Sequence, residues 1–257
     1  MASFKKAALG GGLKLGTFIG EFATPGIGHI MKNAGLDFVF LDMEHTGFDV
    51  MAMKSILRYF EAADLATLVR PAGKDYYDMA RMLDVGADAL CLPMVSSAAE
   101  AADIVRQCKY APLGERGVAL GMTHDRFKQG PVLEKLNALN EATAIVPLIE
   151  TEGGVAEVEA IAKTPGVDAL WLGHFDLSCS LGIPGEFDHP KFKDAVSRTC
   201  AAAKEAGIPA GRICGSVEES LAEHARGFDL IGISGDAWML QAAMTDAANA
   251  VRAGARR

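Results

Sequence analysis

Short β-branched runs alternate with longer amphipathic stretches along almost the whole chain, which is the rhythm of repeated βαβ units. Strands are expected near 15–19, 36–42, 66–70, 88–92, 143–149, 167–172, 208–213 and 229–233. Several of these runs are apolar throughout, as strands covered on both faces are. Helical periodicity fills the intervals over 50–63, 75–84, 97–109, 153–163, 190–206, 217–226 and 237–252. Gly35, Gly86, Gly166 and Gly207 stand where a helix must stop before the next strand. Eight such repeats predict the α/β class and a (β/α)₈ TIM barrel. A doubly wound open sheet has the same rhythm, because periodicity does not report closure.

Two segments interrupt the pattern. Residues 110–141 make a long connection after the fourth strand, with a helix expected near 131–141. Excursions of that length serve as lids or interface arms. Residues 173–185 read as a rim loop rich in small residues, whose backbone amides can cradle a carboxylate.

The totals narrow the reading. With 257 residues and no linker or low-complexity tract, residues 1–257 are expected to form one barrel domain. Half the residues are hydrophobic, yet no apolar run approaches the roughly 18 needed for a membrane span. No signal peptide is read at the start. Cys91, Cys108, Cys179, Cys200 and Cys214 are odd in number and contain no CxxC pair. That suits reduced thiols in a cytoplasmic protein better than disulfides or a zinc site. The net charge of −8 argues against a nucleic-acid partner and leaves small anionic substrates open.

Four of the runs end in residues that can do chemistry. The second leads into Glu44 and His45, the third ends at Arg70, the fifth at Glu150, and the sixth runs on to Asp176. On parallel barrel strands these side chains meet at the C-terminal rim, where barrels keep their active sites. Glu150 and Asp176, as neighbouring carboxylates, suit Mg²⁺ or Mn²⁺; alternatively, each caps the helix that follows. A half-buried Arg70 calls for an anion, either a ligand or a rim acid such as Glu44. His45, set among acids, suits a base, although a lone histidine after a strand is more often structural. Asp84 ends the helix before the fourth strand, at the rim opposite His45. It is either a helix-end residue or a group donated across an oligomer interface. Gly232 to Gly235 follow the last strand, where barrels often bind phosphate. Gly10 to Gly12 precede a strand and read as a flexible entry, not a nucleotide loop. His29, His189 and His224 are expected at the surface, and His124 stays unassigned. No lysine ends a strand, which counts against a Schiff-base aldolase.

Taken in order, Asp42-x-Glu-His45, Val69-Arg-Pro71, Leu83-Asp-Val-Gly-Ala87, Pro93-Met-Val95, Arg116-Gly117, Ile149-Glu-Thr151 and Gly173-x-x-Asp-Leu-Ser178 resemble a known family. It is that of the metal-dependent class II pyruvate aldolases acting on 4-hydroxy-2-oxoheptanedioate and 2-dehydro-3-deoxyglucarate. The resemblance covers roughly residues 12 to 250. It implies a (β/α)₈ barrel assembled as a hexamer, a dimer of trimers, with the last helix packing on a neighbour. It also implies that Glu150 and Asp176 ligate Mg²⁺, Mn²⁺ or Co²⁺ and that Arg70 clamps the pyruvyl oxygen. His45 is then the base, working through a water, with Asp84 of an adjacent subunit strengthening it. Backbone amides from Gly173 and His174 to Phe175 and Asp176 hold the pyruvate carboxylate. The implied reaction is reversible cleavage of a 4-hydroxy-2-oxo acid to pyruvate and an aldehyde through a metal-stabilised enolate.

The chain departs from that family at His174 and Phe175, which stand where a proline and a small residue are usual. Leu148 stands at a common glutamine and Phe18 at a common tryptophan. A bulky Phe175 is expected to change the pocket beside the carboxylate. Two rival readings are another enolate-forming lyase with an acyl-CoA or oxaloacetate-type donor, and a non-catalytic metabolite-binding barrel.

Overall fold

The computed structural model describes residues 3–255. Helix α1 (Phe4–Ala8) precedes β1 (Lys14–Ile19), α2 (Ile27–Asn33), β2 (Phe38–Asp42), α3 (Val50–Ala62), β3 (Ala66–Arg70) and α4 (Tyr76–Asp84). There follow β4 (Ala89–Leu92), α5 (Ala98–Cys108), α6 (Val132–Ala142), β5 (Ala144–Ile149), α7 (Glu152–Ala156) and α8 (Val158–Ala162). The chain ends with β6 (Leu170–Leu172), α9 (His174–Ser180), α10 (Pro190–Ala206), β7 (Ala210–Cys214), α11 (Val217–Arg226), β8 (Leu230–Gly235) and α12 (Asp236–Gly254). The eight strands close into a barrel in sequence order, every neighbouring pair parallel. Closure removes the open-sheet alternative.

Strand alternation divides the core into two shells. Phe38, Phe40, Leu68, Cys91, Val146, Leu148 and Trp171 fill the barrel interior. Their strand neighbours Val39, Leu41, Val69, Leu90, Ile145 and Ile149 face outward and pack under the helices. Large rings need small partners in so narrow a space. A Cβ on Gly16 would lie 2.6 Å from the Phe38 ring, and one on Gly211 would lie 2.4 Å from Trp171. Helix starts carry side-chain caps: Asp49, Ser97, Thr151 and Ser216 each accept a hydrogen bond from an amide of the first turn.

The structure adds elements that periodicity did not predict. Helix α1 has five residues, too few to show a period, and it plugs the N-terminal end of the barrel. Phe4 is fully buried and meets Phe38 edge-on at 5.8 Å. Helix α2 was missed, the stretch over 153–163 is split at Glu157 into α7 and α8, and the rim loop after Gly173 opens with α9. The largest departure from an ordinary barrel is α12. Of its nineteen residues only Asp236 is buried, while Trp238, Met239, Leu240, Met244 and Val251 are exposed. Among the described residues no helix is long and apolar enough to cross a membrane.

Candidate active site

Period-two alternation decides which rim residues point inward. Asp42 is in phase with Phe38 and Phe40, Arg70 with Ala66 and Leu68, and Glu150 with Val146 and Leu148. All three therefore face the C-terminal mouth. Asp42 and Arg70 are also register partners across β2 and β3. Arg70 Nε donates to Asp42 Oδ1 at 2.6 Å, Nη1 lies 3.0 Å from Glu44 Oε2, and the guanidinium sits 5.7 Å above the Phe40 ring. Burial pulls the Arg70 pKa down, but the bond to Asp42 and the charges of Asp42 and Glu44 outweigh it, so the net shift is upward. The salt bridge to Glu44, one of the two expected fates of Arg70, is thus present. Nη2 makes no hydrogen bond to a described residue and remains for a ligand.

Asp42 is the residue that motif reading undervalued. Its carboxylate is fully buried and does two tasks at once. While Oδ1 holds Arg70, the two oxygens also accept from the amides of Glu44 (3.1 Å) and His45 (3.2 Å). Thr46 Oγ1 adds a bond back to the Asp42 carbonyl. The turn that carries His45 is therefore fastened to the arginine. The only signal in the sequence was the strand phase of Asp42, which is that of Arg70. The His45 ring is 62 % exposed and stands 3.8 Å from Glu44 Oε2.

Glu150 is 2 % exposed. Oε1 accepts from the Met94 amide at 2.7 Å, and Met94 adopts a left-handed φ of 55° to present that amide. Gly173 makes room on the other side, because a Cβ there would fall 2.3 Å from Glu150 Oε2. Burial pushes the Glu150 carboxyl up to about 7; the Met94 amide and Arg70 oppose this, and the negative charge of Asp176 adds to it. Asp176 lies in the first turn of α9 and is exposed. The amides of His174, Phe175 and Asp176 in that turn have no carbonyl of the preceding turn to bond.

His174 and Phe175 turn their side chains elsewhere. Their rings meet at 4.3 Å, and Phe187 lies 5.4 Å from His174 and 5.6 Å from Phe175. Together they wall a cleft of about 370 Å³ between α10 and α11, outside the barrel. Burial, with Arg212 close by, lowers the His174 pKa to about 4, so the ring is neutral. Phe175, expected to change the pocket beside the carboxylate, has an exposed ring that packs against His174 and Phe187. Leu148 and Phe18 do face inward, Leu148 within the buried barrel core and Phe18 stacked on Phe40 at 6.1 Å.

Asp84 lies at the opposite end of the barrel, as its place at the C-terminus of α4 required, and it bonds Arg116. The glycine-rich end of β8 leads straight into α12, whose first residue is Asp236. Asp236 already fills the adjoining amides of Gly20, Glu21 and Phe22 at 3.2, 2.9 and 2.8 Å.

A barrel whose C-terminal mouth gathers a buried glutamate, a nearby aspartate, an arginine with a free edge and a rim histidine has the makings of an enzyme site. The comparisons agree. A profile of the HpcH/HpaI aldolase/citrate lyase family matches residues 15–236. A hydroxypyruvate/pyruvate aldolase of Chromohalobacter salexigens is 36% identical over 241 residues, 93% of this chain and 94% of that protein. A 4-hydroxy-2-oxovalerate aldolase of Rhodococcus jostii is 34% identical over 211 residues, covering 80% of each chain. The crystal structure of an HpcH/HpaI aldolase/citrate lyase family protein from Burkholderia cenocepacia superposes with a TM-score of 0.89 at 32% identity, over 97% of this chain and 98% of that one. The chain belongs to the HpcH/HpaI aldolase/citrate lyase family. Within it the protein is a carbon–carbon lyase of the pyruvate aldolase type.

Proposed function

We propose that this protein reversibly cleaves a 4-hydroxy-2-oxo acid into pyruvate and an aldehyde, with Glu150 and Asp176 holding a divalent metal ion. The observation that carries this reading is the Glu150 carboxyl. It is buried and driven up to about 7, with a second carboxylate beside it and only Arg70 and one amide opposing. Two hard oxygen donors with only Arg70 to balance them fit Mg²⁺, Mn²⁺ or Co²⁺. A site with two protein carboxylates would keep positions for substrate oxygens. When bound, the ion supplies a positive charge to the carboxylate and oxo oxygens of the substrate.

The chain's own groups do the rest. The first-turn amides of α9 hold the substrate carboxylate. The free edge of Arg70 faces the C2 oxygen and stabilises the charge that grows there as the C3–C4 bond breaks. His45, exposed at the rim, takes the proton of the C4 hydroxyl through a water, and an aldehyde leaves. Asp84, set at the opposite end of its own barrel, supports the His45 of an adjacent subunit, as the family resemblance implies. Exposed α12 is the element that packs on a neighbour, consistent with a hexamer built as a dimer of trimers. We take the whole chain as one catalytic domain, working in the cytoplasm, where its five free thiols stay reduced.

Chelation tests the reading. Stripping divalent metal should abolish cleavage, and Mg²⁺, Mn²⁺ or Co²⁺ should restore it. A pyruvate adduct trapped on any lysine by borohydride would overturn it, and failure to use any oxo acid with pyruvate or oxaloacetate character would favour a binding protein.

A further inference from the structure

The long connection between α5 and α6 has no counterpart in the barrel's repeat, and its best-fixed residue is Arg116. That side chain is 2 % exposed. Its guanidinium lies 4.6 Å from the centre of the Tyr110 ring, Nη2 donates to Asp84 Oδ1 at 2.5 Å, and Nε is buried with no hydrogen-bond partner among the described residues. The backbone around it is fastened on every side. The Glu115 amide donates to the Arg106 carbonyl at 2.7 Å, the Arg116 amide to the Lys109 carbonyl at 2.9 Å, and the Gly117 amide to the Tyr76 hydroxyl at 2.9 Å. Gly114 is required there, since a Cβ would come within 2.3 Å of the Lys109 carbonyl. Tyr110 is held in turn by the Asn140 side chain, whose Oδ1 accepts from the Tyr110 amide at 2.7 Å and whose Nδ2 donates to the Tyr110 carbonyl at 2.9 Å.

The pair is lopsided. A buried arginine meets an aspartate whose side chain is 44 % exposed. Burying a guanidinium is costly unless it is paired, yet its carboxylate partner is turned toward solvent with Oδ2 unbonded to any described residue. The other ionisable groups facing Asp84 are Tyr110 and His124, with Asp125 behind them. Burial lowers the His124 pKa, with Arg116 adding to the shift, so His124 brings no competing charge at neutral pH.

We propose that Arg116 is a positioning residue: it clamps one oxygen of Asp84 so that the other is presented outward, to the His45 of a second copy of this chain. The inference rests on the assignment of Asp84 as the trans-subunit partner of His45. It makes the excursion a rigid mount for one carboxylate, with Tyr110 as the plate on which the clamp is stacked.

The test uses the assembled enzyme and compares Asp84→Asn, Arg116→Met and the double variant. Arg116→Met should lower kcat for aldol cleavage about 10-fold, with KM changed by less than about twofold. Oxaloacetate decarboxylation, which needs no C4 hydroxyl proton removed, should stay within about twofold of wild type in all three. The double variant should be no slower than Asp84→Asn. The pH profile separates positioning from simple charge. If Asp84 stays in place, removing the Arg116 cation raises the basicity of His45 and moves the acidic limb of cleavage to higher pH. If Asp84 is released, the limb moves to lower pH, as in Asp84→Asn. We expect the lower pH. A limb that rises or does not move in Arg116→Met, while Asp84→Asn is impaired, overturns the positioning role alone. A silent Asp84→Asn overturns the trans-subunit assignment and this inference with it. Should Arg116→Met fail to assemble, Arg116→Lys, which keeps charge but loses the stacked fork, must show the same downward shift.

Discussion

Each end of this barrel holds a carboxyl pushed up to about 7, Glu150 at the mouth and Asp88 at the base. Burial is the leading cause in both. The difference lies in what surrounds them. Asp88 accepts the amide of Phe4 and sits beneath the α1 plug. Around it the base is closed by bonds among its own groups. Lys5 pairs with Asp168 at 2.8 Å, and the Lys109 ammonium caps the carbonyls of Asn140 and Thr143 at 2.6 and 2.5 Å. At the mouth, Glu150 has a second carboxylate near it, an arginine with a free edge, and no plug. A raised pKa therefore does not by itself mark a site; an incomplete charge arrangement open to ligand does.

The comparison can be broken most forcefully at the mouth. Glu150→Gln and Asp176→Asn should each reduce cleavage by about 10³-fold or more at ordinary metal concentration, because the ion's stabilisation of the transition state is lost. Thermal unfolding should show both variants folded. Near-normal turnover in either would remove that residue from the metal site.

Arg70 and His45 should fail differently. Arg70→Ala should cost about 10²–10³-fold in aldol cleavage and in oxaloacetate decarboxylation alike, since both pass through the same enolate. It also strands Asp42, a fully buried carboxylate, so a loss on the order of 3–5 kcal/mol in stability should accompany it. His45→Ala should lower cleavage by about 10²–10⁴-fold while sparing decarboxylation. Equal loss of both activities in the histidine variant contradicts its role as the aldol base.

The base should respond in stability and not in catalysis. Burial raises the Asp88 pKa in the folded state to about 7, well above the ordinary carboxylate range, so the folded state binds more protons than the unfolded state between the two. Stability contributed by this group therefore falls as pH rises through that window and is lowest above it. Asp88→Asn should remove that dependence and stabilise the protein at pH 8 by on the order of 1–3 kcal/mol. Steady-state kinetics should be unchanged. Denaturant unfolding at pH 5 and pH 8 checks it.

Much of the mouth was legible in the sequence, for a physical reason. Strands buried on both faces write themselves as apolar runs, and the period of two then says which terminal residue points inward. Arg70 and Glu150 follow from that rule alone. The base was less legible, since helix α1 spans only five residues and shows no period. At the mouth, α9 is short and rich in small residues, so it read as loop. The contact of Asp84 with Arg116 joins residues 32 apart through the packing of an excursion, which no local pattern reports. The hub role of Asp42 was hidden because a carboxylate beside a histidine motif looks like an accessory acid until its three bonds are seen.

The most direct test of the central claim is Mn²⁺ binding measured by calorimetry at pH 8 on three proteins: wild type, Glu150→Gln and Asp88→Asn. If the mouth holds the incomplete charge arrangement and the base a complete one, Mn²⁺ affinity falls by at least about 10-fold in Glu150→Gln and is unchanged in Asp88→Asn. Undiminished binding in Glu150→Gln would contradict the account.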